Sequence, residues 1–150
     1  MLKWVRQEDA KGCGLACIAM ITGKTYAEIK AMVKPSYYEV GASLVYNLDG
    51  LLSDLGYAYA PKYPVAHYCT VAGEDSTWPR RDPWPSEPFA DVHLVEVHCH
   101  GAPCGHFIVM LRDGTIYDPD TQEPRKLTDY ASVDSMIAVV PIPKEGESNA

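Results

Sequence analysis

Apolar residues recur with a helical period in the first third of the chain and with a strand-like pattern in the last third; the stretch between follows neither. Cys13 to Ile21 is an apolar run of helical length, and Gly23 is placed to stop it. Thr25-Tyr26-Ala27-Glu28 reads as a capping box, with Thr25 as N-cap and Glu28 three positions on. It predicts a second helix through roughly Val33, closed by Pro35. Ser43 then caps a third helix, in which Leu44, Leu48, Leu51, Leu52 and Leu55 keep one apolar face, and Gly56 ends it in a left-handed conformation.

Beyond Gly56 the pattern changes. Tyr57 to Ala60 predicts a short strand. Pro61 to Pro88 is rich in proline and polar residues, and the loop it implies, over about residues 61–91, is long enough to suggest a lid or binding loop. Val92–His98 and His106–Leu111 predict strands joined by a short glycine-containing turn. Asp113-Gly114 signals a hairpin that pairs Thr115–Asp118 back, Met136–Ile142 is a further strand, and Lys144–Ala150 is a frayed tail. Helices first and antiparallel strands after predict an α+β fold in one domain over residues 1–150, with the first helix packed on the sheet.

Charge narrows the function. A net charge of −7 argues against a nucleic-acid ligand, and the Arg80-Arg81 pair is offset by Glu74, Asp75 and Asp82. The apolar runs fall short of the ~20 residues needed to cross a bilayer, and Met1-Leu2-Lys3-Trp4 does not open a signal peptide. A cytoplasmic protein is expected, its five cysteines thiols rather than a disulfide framework.

The chemistry centres on Cys13. It stands where the first helix begins, and the unpaired N–H groups and positive dipole end there favour a thiolate. Gly12 and Gly14 leave room for a substrate backbone, and Gln7, six residues earlier, is near enough to offer an amide to an oxyanion. His106 at a strand end supplies a base, and Asp118, on the next strand of the hairpin, a carboxylate to orient it; Asp120 is an alternative, farther into the turn. Cys17, by contrast, reads as a buried core residue. Gly105, beside the base, and Trp78 and Trp84 in the long loop join Gly12 and Gly14 as candidate substrate-binding residues, with Tyr37 and Tyr38 as further groove aromatics or loop packing. His98-Cys99-His100 to Cys104-Gly105-His106 is dense in metal ligands but lacks repeated ligand spacing, so a turn is expected rather than a metal site. This chemistry calls for no cofactor.

Gln7 with Cys13-Gly14-Leu15-Ala16-Cys17, then His106-Phe107-Ile108-Val109 and Tyr117-Asp118-Pro119, resembles the papain-like bacteriocin-processing peptidases that cut after double-glycine leaders. The resemblance spans roughly Gln7 to Ile142. It implies a papain-like fold, Cys13 as nucleophile, His106 as base, Asp118 as orienting residue and Gln7 as oxyanion donor. Members of that family often precede a membrane transporter; this chain is expected to be a free-standing relative, so the double-glycine substrate does not carry over. Three functions follow as expectations: a cysteine peptidase or related amide hydrolase acting on a peptide or protein, a deamidase or acyl-transferase using the same residues, and a silent papain-like module that binds a partner protein.

Overall fold

A computed structural model describes residues 2–33, 44–59, 63–64, 90–102 and 105–143. Three helices come first: α1 (Cys13–Thr22), α2 (Tyr26–Met32) and α3 (Leu44–Asp54). Strands β1 (Tyr57–Tyr59), β2 (Tyr63–Pro64), β3 (Val92–His98), β4 (Gly105–Leu111), β5 (Ile116–Tyr117) and β6 (Ser132–Pro141) follow, with a 3-10 turn at Leu127–Asp129. All described pairings are antiparallel, in the order β1-β6-β3-β4-β5, with β2 also on β6. The α+β class is thus as expected.

Local chemistry explains the helices. Every residue from Cys13 to Ile21 is buried, so α1 is an interior helix, apolar on all sides. Gly23 closes it with φ 74° and an N–H bonded to the Ala19 carbonyl, a conformation open to glycine at little cost. The capping box of α2 is complete: Glu28 N–H donates to Thr25 Oγ1 at 3.1 Å, and Thr25 N–H to Glu28 Oε2 at 2.8 Å. In α3 the side chains of Leu48, Leu51 and Leu52 are buried.

The sheet carries a core on each face. On one, α1, Tyr26 and Ile29 of α2, and Leu48, Leu51 and Leu52 of α3 pack against Leu94, Phe107, Val109, Ile137 and Val139. On the other, Val95, Val97, Ile108, Met110, Ile116, Val133 and Met136 enclose Tyr130. His93 is fully buried, with Nδ1 donating to the Met110 carbonyl at 3.2 Å; burial lowers its pKa, which keeps the ring neutral.

Two expectations need correction. The final strand begins at Ser132 rather than Met136, because β6 bulges: Glu96 pairs with Ser135 but Val97 with Val133, leaving one extra residue at Asp134. The bulge interrupts the alternation that a sequence reading follows. Within the expected proline-rich loop, Tyr63 and Pro64 pair with Met136 and Ser135, and proline is tolerated at such a sheet margin. Residues 61–62 and 65–89 of that loop, with Trp78 and Trp84, lie outside the described residues, as do Pro35, Tyr37, Tyr38, Ser43 and the 144–150 tail.

Candidate active site

The hairpin of β3 and β4 is in continuous register from Val92↔Leu111 to His98↔Gly105, which puts His106 opposite Val97. Alternation therefore places the His106 ring on the face of Ile108 and Met110, and Asp118 on that of Ile116. β5 pairs only with Val109 and Met110, so His106 lies on the sheet edge beyond its reach. There the sulfur of Cys13, the first residue of α1, approaches from the helical face.

At that edge His106 Nε2 donates to Asp118 Oδ1 at 2.8 Å. Cys13 is the other side chain acting on the ring, by hydrogen bond and by charge. With Nε2 committed to the carboxylate, Nδ1 is left for the sulfur. Burial alone would lower the His106 pKa, but the bonds to Asp118 and Cys13 outweigh it and raise the value to about 10. The ring is therefore an imidazolium at neutral pH. Burial would raise Asp118; donors from His106, the Asp120 backbone and Tyr130 outweigh that and hold its carboxyl below the ordinary 3.8.

Asp118 is held from several directions. Its Oδ1 also accepts from Asp120 N–H at 2.9 Å, and its Oδ2 from the Tyr130 hydroxyl at 2.7 Å. Its carbonyl accepts from the Trp4 indole at 2.7 Å, and Gln7 N–H donates to the Pro119 carbonyl at 3.1 Å. The N-terminal segment thus lies along Asp118-Pro119. Asp120 itself reaches only 3.8 Å from His106 Nε2, with 58 % of its side chain exposed, so Asp118 is the direct partner of the ring. His106, Asp118 and Asp120 are close enough to share a metal ion. Asp118 already accepts three hydrogen bonds there, from His106, the Asp120 N–H and Tyr130.

The loop before Cys13 is braced by α2. Asp9 accepts from the Tyr26 hydroxyl at 2.6 Å and from Lys30 Nζ at 3.0 Å, and these two partners lower its pKa. Its carbonyl accepts from Gly12 N–H at 3.0 Å. A Cβ on Gly12 would overlap the Tyr26 hydroxyl, so this glycine is required by packing against α2, a reason other than the substrate clearance expected of it. Gly14 is buried within α1; Gly105 is exposed, and a Cβ there would crowd Glu96. The Gln7 side-chain amide turns to this loop, donating to the carbonyls of Asp9 at 3.2 Å and Ala10 at 3.5 Å, with Oε1 buried and unpartnered.

Cys13, Cys17 and Cys99 are free thiols. Cys17 is fully buried, and burial pushes its thiol well up; burial also raises that of the half-exposed Cys99. The turn after β3 is exposed at His100, Gly101 and Ala102, with Gly101 at φ 74°. No helix among the described residues is long and apolar enough to cross a membrane. Sequence reasoning missed Trp4, Asp9, Tyr26 and Tyr130; nothing in their local sequence marks them, because their partners lie 12 to 114 residues away. No protein-family model and no curated protein matches the chain.

Proposed function

We propose that this chain is a cysteine peptidase or closely related amide hydrolase of papain-like fold, with Cys13 as nucleophile, His106 as acid and base, and Asp118 as the group that orients the ring. The observation that carries the reading is the His106 ring, bonded through Nε2 to the buried Asp118 carboxylate at 2.8 Å and hydrogen-bonded to the Cys13 side chain at the start of α1. A sulfur with a base in hydrogen-bond reach, and a carboxylate fixing that base, is the arrangement a cysteine nucleophile requires.

The sulfur attacks the carbonyl carbon and the π pair moves to oxygen. His106 gives its proton to the departing nitrogen as the C–N bond breaks, leaving a thioester on Cys13. The neutral ring then takes a proton from water as its oxygen attacks the thioester; the carbonyl re-forms as the C–S bond breaks, releasing a carboxylic acid and leaving the sulfur anionic beside the reprotonated ring. Asp118 keeps Nδ1 aimed at the sulfur throughout. N–H groups in the first turn of α1, where a helix leaves donors over, face the developing oxyanion. Gln7 adds a second donor by releasing its weaker contact, the 3.5 Å bond to Ala10.

The test is mass spectrometry of peptides and proteins treated with wild type and with Cys13→Ala. New termini that require Cys13 identify a peptidase, and gains of about one dalton at glutamine identify a deamidase using the same residues. Iodoacetamide near neutral pH should modify Cys13 ahead of the other thiols. Unselective labelling, with identical products from the two proteins, would overturn the proposal.

A further inference from the structure

We infer that Tyr130 is a positioning residue for the ring of His106, acting through Asp118; the inference rests on the catalytic reading above. Tyr130 is only 3 % exposed, in the core on the far side of the sheet from α1. Its backbone is fixed on both sides: Tyr130 N–H donates to the Leu127 carbonyl at 3.2 Å, and Ala131 N–H to the His98 carbonyl at 2.7 Å. The hydroxyl is thus delivered to Asp118 from a rigid base.

The bonding is divided between the two carboxylate oxygens. Oδ1 takes His106 and the Asp120 N–H, and Oδ2 takes Tyr130 at 2.7 Å. The last torsion of an aspartate is soft, so partners on one oxygen alone leave the carboxylate plane free to swing. A donor on Oδ2 fixes that plane, and with it the direction of the imidazole. The same donor draws charge from the carboxylate and favours its ionised form. Burial and the Asp118 charge both raise the Tyr130 pKa, so the phenol stays a donor across the working range.

A buried tyrosine needs a hydroxyl partner for stability alone, so the test must register coupling to the sulfur. Iodoacetamide rates at Cys13 are compared, near neutral pH, in wild type, Tyr130→Phe, Asp118→Asn and the double variant. Tyr130→Phe should slow alkylation about tenfold and move the Asp118 carboxyl midpoint, read by carbon NMR, up by about one pH unit. In the Asp118→Asn background, Tyr130→Phe should slow alkylation no further, since the two act in series. A purely structural tyrosine would lower the melting temperature in both backgrounds and leave the alkylation rate of folded protein unchanged, which would overturn the inference. Should Tyr130→Phe not fold, 3-fluorotyrosine placed at position 130 is a stronger donor and should move the midpoint down; an unmoved or raised midpoint overturns the inference. If wild-type Cys13 reacts no faster than a simple thiol at any pH, the catalytic reading falls, and this inference with it. That result is distinct from equal rates in a reactive wild type and Tyr130→Phe.

Discussion

Trp4 donates its indole N–H to the backbone carbonyl of Asp118 at 2.7 Å, a bond spanning 114 residues that ties the start of the chain to the carboxylate strand. Trp4→Phe keeps most of the ring volume and leaves that carbonyl without its donor. We expect a loss of about 1–2 kcal/mol in urea unfolding, with the slope unchanged. An unchanged midpoint would show that water replaces the indole at no cost.

Gly12 lies under the Tyr26 hydroxyl. Gly12→Ala should destabilise the protein by about 1–3 kcal/mol, as overpacking does, and slow alkylation of Cys13 by shifting the loop that leads to it. In a Tyr26→Phe background the same substitution should cost less, because the clashing oxygen is gone. Equal costs in the two backgrounds would place the clash elsewhere.

Asp118 and Asp120 are separable by activity. Asp118→Asn removes the charge beside the ring and should lower kcat by about 10²–10⁴-fold. Asp120→Asn changes an exposed group 3.8 Å from the ring and should stay within about threefold of wild type. The reverse ranking, measured by steady-state kinetics, would make Asp120 the orienting residue.

Stability should follow pH through the same pair. The folded His106 pKa, about 10, lies above the ordinary 6.5, so its contribution is full below about pH 6.5 and is lost as pH rises through about 10. The Asp118 pKa is lowered from 3.8, so its contribution is full above that pH and is lost as the medium becomes more acid. Melting temperature should therefore peak between about pH 4 and pH 6.5 and decline toward pH 10. In His106→Gln the alkaline decline should flatten; an unaltered slope would mean that another group sets it.

Much of this arrangement is legible in the amino-acid sequence. The helices are, because their signals are local: the capping box at Thr25 and Glu28, and the glycine stops at Gly23 and Gly56. The contact of His106 with Asp118 is legible because a hairpin turn at Gly114 brings the two together. The bracing of Asp9 by Tyr26 and Lys30, and of Asp118 by Trp4 and Tyr130, is not, since tertiary contacts alone create it. The direction of the Gln7 amide is hidden too, because it is set by two loop carbonyls rather than by spacing from Cys13.

β6 lies between β1 and β3 although it follows every other described strand in sequence. A growing polypeptide thus releases its N-terminal helices well before the ribosome delivers the strand that joins the two halves of the sheet. During that delay their apolar surfaces lack their final cover, a period in which chaperones would be useful. Maturation of the sulfur site is consequently tied to a late, long-range closure, and refolding should be slow for a domain of this size.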